Sequence, residues 1–328
     1  MKKNFLYRFF NGNDDKPDAK WEDTRPTVRY FFKLLWRKLG KLLSLNLMML
    51  PLALPILIAA LIYIGIDTTP TEQTALFTPL FGANLISSTP ESTFLLDLFG
   101  QQYLVPSYNA TGTYVGVGIC IAFLALTFGW QNIGSTYVLR GLVRGDPVFL
   151  WSDYFYAIKR NWKQGFFLGL LDFTVLFLLG FDLLFFYGRL GTFWMDVMFF
   201  AAFAILVLYF FMRFYLYLLQ ITFNLSIRKI LKNALIFSTL GIKRNLMGLL
   251  GLVVLTGINI LLIVAVSPFG GGFAVGLILP LFHYLAFAGF NTVYAAYPVI
   301  DKYMIAPYRT PEDNEASDPD ESECQKDE

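Results

Sequence analysis

The chain has 328 residues, of which 56% are hydrophobic, 18% aromatic and only 15% charged. Soluble domains carry roughly 25% charged residues, and one globule of this length cannot hide so much apolar surface, so a soluble globular protein is excluded. The net charge of +2 points to no acidic partner, yet it is unevenly spread: residues 1–41 hold eleven Lys/Arg, and Thr310–Glu328 hold nine Asp/Glu against one Lys.

The N-terminal arm, 1–41, ends in a stretch where Arg29, Lys33, Arg37 and Lys41 recur every fourth residue. If Thr27–Lys41 is helical, these cations form a stripe beside Tyr30, Phe31, Leu34, Leu35 and Trp36. A basic, aromatic helix of this kind lies in the membrane plane on anionic headgroups. The plainer reading is a positive flank that sets orientation, and the two are compatible. Nucleic acid is not an expected partner, because the headgroups occupy the same cations.

Six apolar runs follow. The first, Leu42–Ile66, has 25 residues without a charge, where roughly 20 suffice to cross the hydrocarbon core. Starting after about forty charged and polar residues, it reads as a retained anchor and not a cleaved signal peptide. Pro51 and Pro55 are expected to kink it. A polar stretch, 67–113, separates it from the second span, Tyr114–Leu139. The third covers Gly165–Tyr187, the fourth Trp194–Ile221, the fifth Leu246–Val266 and the sixth Phe273–Ile300, with the turn Ser267–Gly272 between the last two. The expected fold is an all-α polytopic membrane helix bundle with amphipathic interfacial helices on the inside. Its parts are the arm 1–41, a membrane domain 42–300 with an outer loop 67–113, and an acidic disordered tail 301–328.

Lys and Arg decide which way the spans point. None lies between Leu42 and Leu139. Arg140, Arg144, Lys159, Arg160 and Lys163 fill the link before span three, and Arg228, Lys229, Lys232, Lys243 and Arg244 the link before span five. The alternation places both termini in the cytoplasm.

Those two inner links share a tetrapeptide. Ile158-Lys159-Arg160-Asn161 precedes span three and Ile242-Lys243-Arg244-Asn245 precedes span five. Each predicts a short interfacial helix, a basic elbow and then a span. A duplicated unit, as in many transporters, and two elbows converging on the same headgroup chemistry both explain the repeat. Lys159, Arg160, Trp162, Lys163, Lys243 and Arg244 are the candidate lipid or partner contacts here.

Charged groups within hydrocarbon are costly unless paired or wet. Asp172 lies about 10 Å into span three, and Arg213 on the returning span four reaches a similar level. They are expected to form an ion pair, with a substrate path or a snorkelling Arg213 as the alternatives. Asp182 is placed within reach of Arg189 and near Asp196. His283 and Asn259 fall inside spans six and five, as interhelical hydrogen-bonding groups or members of a proton path. Gly165-x-x-x-Gly169 and Gly272-x-x-x-Gly276 permit close helix contact. The aromatics of span four, among them Phe199, Phe203, Tyr209 and Phe211, read as packing and lipid-facing bulk. No catalytic motif, cofactor motif or metal-ligand cluster is visible, so no enzyme activity is expected. Cys120 and Cys324 sit in different environments, which argues against a disulfide.

The run Gly134-Ser135-Thr136-Tyr137-Val138-Leu139-Arg140-Gly141-Leu142-Val143-Arg144-Gly145, leading through Trp151-Ser152-Asp153-Tyr154-Phe155 to the Lys159–Gly165 elbow, resembles the signature region of the YesL-like bacterial membrane proteins. Leu45-Asn46-Leu47 and Leu54-Pro55-Ile56 resemble that family's first span, and the likeness covers roughly Tyr30 to Ile300. The resemblance implies an accessory or regulatory role near carbohydrate uptake, with an ABC transporter as a possible partner. It brings no catalytic residues. The 67–113 loop and the charged tails depart from the family pattern.

Overall fold

The computed structural model describes residues 26–64, 67–70, 106–107, 110–266 and 279–308. Among these, nine α-helices form: α1 (Val28–Arg37), α2 (Leu39–Ile64), α3 (Ala110–Arg144), α4 (Leu150–Arg160), α5 (Trp162–Tyr187), α6 (Phe193–Thr222), α7 (Ile227–Leu240), α8 (Ile242–Val266) and α9 (Tyr284–Ile300). Five of them, α2, α3, α5, α6 and α8, are long and apolar enough to cross a membrane. Large side chains such as Phe167, Phe181 and Leu184 on α5, and Leu250, Leu261 and Val264 on α8, face outward. A helix keeps its own backbone groups satisfied, so such a surface is at home only in lipid. The protein is an all-α polytopic membrane helix bundle.

The sixth expected crossing, 273–300, departs from a continuous rod. Residues 273–278 and the turn Ser267–Gly272 lie outside the described residues, as does Gly272-x-x-x-Gly276. Leu279–Phe282 forms a 3-10 turn, and α9 has only 17 residues, about 26 Å at 1.5 Å per residue. Beyond it, Asp301–Ile305 winds as a π-helical turn and Ala306–Tyr308 as a 3-10 turn, with Tyr303 stacked on Phe237 at 6.5 Å. Described helical turns therefore continue past residue 300 to Tyr308, and residues 309–328 lie outside the described residues.

The described chain divides into two compact units. The smaller, Pro51–Leu124, holds the later part of α2, the start of α3 and a ribbon in which β1 (Asp67–Pro70) pairs antiparallel with β2 (Pro106–Ser107). The loop expected over 67–113 thus contains paired backbone at its ends, and α3 begins at Ala110, before the expected Tyr114.

The larger unit comprises residues up to Leu50 and from Ala125 onward. Its axis is the second half of α6, where every residue from Phe214 to Ile221 is buried. A helix apolar on all sides belongs in an interior, and α5, α7 and α9 pack around this one. The first half of α6 is different: Phe193, Trp194, Phe200 and Phe203 are exposed. Helix α5 meets α3 through glycines. A Cβ on Gly129 would sit 2.8 Å from the Gly169 Cα and overlap the Gly165 carbonyl, so the Gly165-x-x-x-Gly169 face is where the two backbones touch. Asn46 of α2, fully buried, binds the break ahead of α9: its amide donates to the Leu281 carbonyl, and its oxygen accepts from the Ala286 N–H at 2.8 Å.

Helix α1 ends at Arg37, so the stripe expected over Thr27–Lys41 splits. Arg29 and Lys33 are exposed, Arg37 is half-buried, and Lys41, now in α2, is only 5% exposed. Burial withdraws Lys41 from headgroup contact. The inner face of α1 buries Leu34 and packs Phe31 on Phe290 and Tyr294. Val28, Phe32 and Trp36, spaced by four, form a second, outward apolar edge beside Arg29 and Lys33. That is the two-sided pattern of an interfacial helix.

Candidate functional site

The buried positions of α5 are Gly165, Leu168, Gly169, Asp172 and Leu179, one stripe at helical spacing. Asp172 therefore enters the interior on the same face as the glycines. Opposite it, α6 presents Tyr209, Arg213 and Tyr217, each a turn apart. The Tyr209 hydroxyl donates to Asp172 Oδ1 at 2.8 Å, and the Tyr217 hydroxyl donates to Oδ2 at 2.7 Å. Arg213 Nε lies 3.0 Å from Oδ1 and 3.1 Å from Oδ2. Asp172 is fully buried, whereas Arg213 is a quarter exposed and sets its guanidinium 5.5 Å from the Phe128 ring centre.

This cluster is electrically neutral, with its carboxylate fully buried and its guanidinium partly exposed. A lone carboxylate in hydrocarbon is prohibitive, but three donors on one helix offset its lost hydration. Tyr209 is part of this polar cluster and not the packing bulk expected of it. Its spacing of four from Arg213, matched by Tyr217 on the other side, was the available signal.

The other intramembrane polar residues do not join the cluster. Asn259 is buried on α8, and its amide donates to the Leu255 carbonyl one turn back at 2.8 Å. His283 lies at the N-terminal end of α9 and not within a continuous span; its Nδ1 is 3.2 Å from the Leu279 carbonyl and its ring meets Phe287 edge-on. Asp182, Arg189 and Asp196 are not paired with one another. Arg189 lies over the Phe185 ring at 3.7 Å, and Asp196 accepts the Gly191 N–H at 3.0 Å.

The two tetrapeptides have different fates. In the α7–α8 elbow the chain breaks at Gly241, so Ile242–Asn245 forms the first turn of α8 and does not precede it. Asn245 is fully buried: its amide donates to the Phe237 and Ser238 carbonyls at 3.3 and 2.9 Å, and its oxygen accepts from the Tyr215 hydroxyl at 2.6 Å. Arg244 donates to the Pro26 carbonyl at 3.2 Å, which makes it an internal tie to the arm, while Lys243 is exposed. In the α4–α5 elbow the break falls on Asn161 itself, whose amide donates to the Ala157 carbonyl at 3.1 Å. Lys159, Arg160, Trp162 and Lys163 are exposed, with the Lys163 ammonium 5.7 Å from the Trp162 ring centre. The outward aromatics Phe149, Trp151, Phe155 and Tyr156 continue this surface along α4. On the inner side of α4, Tyr154 packs where a Cβ on Gly134 would be 2.7 Å from its ring, and burial pushes its phenol up to about 12.

Between this elbow and the end of α6 lies a cleft of about 360 Å³ that includes Arg160, Lys163, Gln164, Gln220, Thr222 and Asn224. Gln164 donates to the Leu225 carbonyl at 2.5 Å, and Arg140, from the end of α3, donates to Thr222 Oγ1 at 3.1 Å and the Ile221 carbonyl at 3.3 Å. Neither Gln220 nor Arg140's tie was singled out by sequence, since an isolated Gln or a terminal Arg carries no pattern.

Together these features define a multi-pass membrane protein that, among the described residues, carries a buried, ion-paired Asp172 and an exposed, basic elbow. The chain matches no protein-family model, no curated protein and no solved structure.

Proposed function

We propose that this protein is a non-enzymatic accessory or regulatory component of a bacterial plasma membrane, with both termini cytoplasmic, working beside a carbohydrate uptake system such as an ABC transporter. The carbohydrate link rests on the resemblance to the YesL-like family carried by Gly134–Gly145 and the Lys159–Gly165 elbow. The orientation rests on the Lys/Arg alternation. The observation that carries the accessory role is the Asp172 cluster: the buried carboxylate that a solute or proton path would use is already held by Tyr209, Arg213 and Tyr217. The exposed cations Arg160 and Lys163, flanked by aromatics, are the surface we assign to anionic headgroups or a membrane partner.

The competing reading is a small-solute transporter with a path past Asp172, Arg213, Asn259 and His283. The positions of Asn259 and His283, whose contacts run to the Leu255 and Leu279 carbonyls and not to the Asp172 cluster, weigh against it. Gentle purification from native membranes, with quantitative mass spectrometry, is expected to recover a transporter subunit in fixed ratio, lost when Arg160 and Lys163 are changed to Glu. Solute flux through proteoliposomes containing this chain alone, abolished by Asp172→Asn, would overturn the accessory role.

A further inference from the structure

The nine described helices fall into three sets of three. Each set opens with a short helix, α1, α4 or α7, of 10, 11 and 14 residues. A break of one residue follows, at Lys38, Asn161 or Gly241. Next comes an outgoing span, α2, α5 or α8, of 26, 26 and 25 residues. A return helix, α3, α6 or α9, completes the set.

Within the larger unit the packing repeats in cyclic order. Each short helix rests an aromatic on a tyrosine of the preceding return helix. Tyr156 of α4 meets Tyr137 of α3 with ring centres 6.1 Å apart, Phe237 of α7 meets Tyr215 of α6 at 5.6 Å, and Phe31 of α1 meets Tyr294 of α9 at 5.1 Å. All three tyrosines stand about two turns before the C-terminal end of their helix. The outgoing spans obey the same rule: α5 touches α3 at Gly129, Gly248 of α8 lies against Phe214 of α6, and Asn46 of α2 binds the start of α9. The return helices also meet one another. Arg140 of α3 donates to the Ile221 carbonyl of α6, α6 packs on α9, and a Cβ on Gly289 of α9 would lie 2.7 Å from the Leu139 side chain of α3. The last set thus receives the first, and α1, α4 and α7 occupy equivalent places on one side.

Their free edges are equivalent too. Each short helix buries a small inner edge, with Leu34, Ala157 and Ala234 fully covered. Each exposes large apolar side chains on the other, Phe32 and Trp36, Trp151 and Phe155, Leu235 and Leu240. Between them the three helices carry one acidic residue, Asp153, and its carboxylate accepts from the Phe149 N–H. Every one also bears exposed cations. One residue beyond each begins a span that exposes apolar side chains within its first turns, Leu47, Phe167 and Met247. The apolar edges therefore continue the lipid-facing surface up to the level where the spans end, which is where a cationic, aromatic helix meets headgroups.

We propose that α1, α4 and α7 form one docking surface for a leaflet rich in anionic phospholipid, three equivalent struts lying in its headgroup layer. This rests on the headgroup reading of the α4–α5 elbow, adds α1 and α7 to it, and commits all three edges to lipid. Aromatic and aliphatic side chains enter the acyl boundary, and the cations hold phosphates above them.

The test uses the full-length protein without its two native cysteines, in vesicles of equal parts phosphatidylcholine and phosphatidylglycerol. Nitroxide labels at Phe32→Cys, Phe155→Cys and Leu235→Cys are followed by their accessibility to oxygen and to an aqueous nickel reagent. All three are expected to favour oxygen, to lie in the same leaflet, and to agree in depth within about 5 Å, one helical pitch. A label that favours nickel, one in the opposite leaflet, or one shielded from both reagents by a protein contact would overturn the proposal. Lipid selectivity gives a second readout. Arg29→Glu with Lys33→Glu, Lys159→Glu with Arg160→Glu, and Arg228→Glu with Lys229→Glu should each lower the association of spin-labelled phosphatidylglycerol, relative to phosphatidylcholine, by about twofold. A loss confined to one pair would also overturn it. Failure of any transporter subunit to co-purify would sink the accessory role and leave this surface standing, whereas nickel-accessible labels would do the reverse.

Discussion

The α4–α5 and α7–α8 elbows begin from the same four residues and end as chemical opposites. At the second, Asn245 is buried and every function of its side chain is used, by two carbonyls ending α7 and by the Tyr215 hydroxyl of α6. A Cβ on Gly241 would sit 2.5 Å from that hydroxyl, so the joint admits nothing further. At the first, Asn161 is partly exposed, caps only its own helix, and leaves a cleft against Gln220. The break in the chain falls one helical turn apart relative to the shared motif, on Asn161 in one case and Gly241 in the other. A shift of a single turn decides whether the asparagine enters the core or stays at its rim. One elbow is a weld and the other a socket.

The most disruptive change lies in the Asp172 cluster that both elbows flank along α6. Asp172→Ala leaves Arg213 unpaired and two phenols without an acceptor, and is expected to cost about 3–5 kcal/mol of stability in detergent. The loss on adding Arg213→Ala should be much smaller, because the pair is already broken. Additive losses in a thermal-melt double-mutant cycle would show that the two residues act independently. Next, Asn245→Ala is expected to cost about 1–3 kcal/mol, since it strands the Tyr215 hydroxyl and the α7 carbonyls. Asn161→Ala, the matching change at the open elbow, should cost no more than about 1 kcal/mol. Equal melting shifts for the two asparagine variants would erase the distinction between the elbows. Smallest of all, Gln220→Leu should be neutral or raise the melting temperature, because it removes an unpaired buried amide at similar volume. A clear loss of stability there would mean that Gln220 already has a structural partner.

Much of the architecture was legible in the residues. Spans two to five lie within or close to the helices observed, because uninterrupted apolar runs leave a chain no other way to satisfy its backbone in lipid. The Asp172–Arg213 contact followed from rise per residue and antiparallel connection alone. Tyr209 and Tyr217 were missed because a tyrosine in an aromatic-rich span looks the same whether its ring faces lipid or its hydroxyl serves a carboxylate. The break before α9 carried a signal, Pro280, that the apolar run around it masked, and the residue that satisfies its backbone, Asn46, is more than two hundred positions away.

The sequence by itself determined that the chain lives in a membrane, where its crossings fall and which of its links are basic, since hydropathy and charge are summed locally along the chain. Only the tertiary structure decided which polar groups are closed off and which stand open. Asp172 on α5 is satisfied by two hydroxyls and a guanidinium of α6, and Asn245 on α8 by carbonyls of α7 and a hydroxyl of α6, partners that no local sum along the chain can specify.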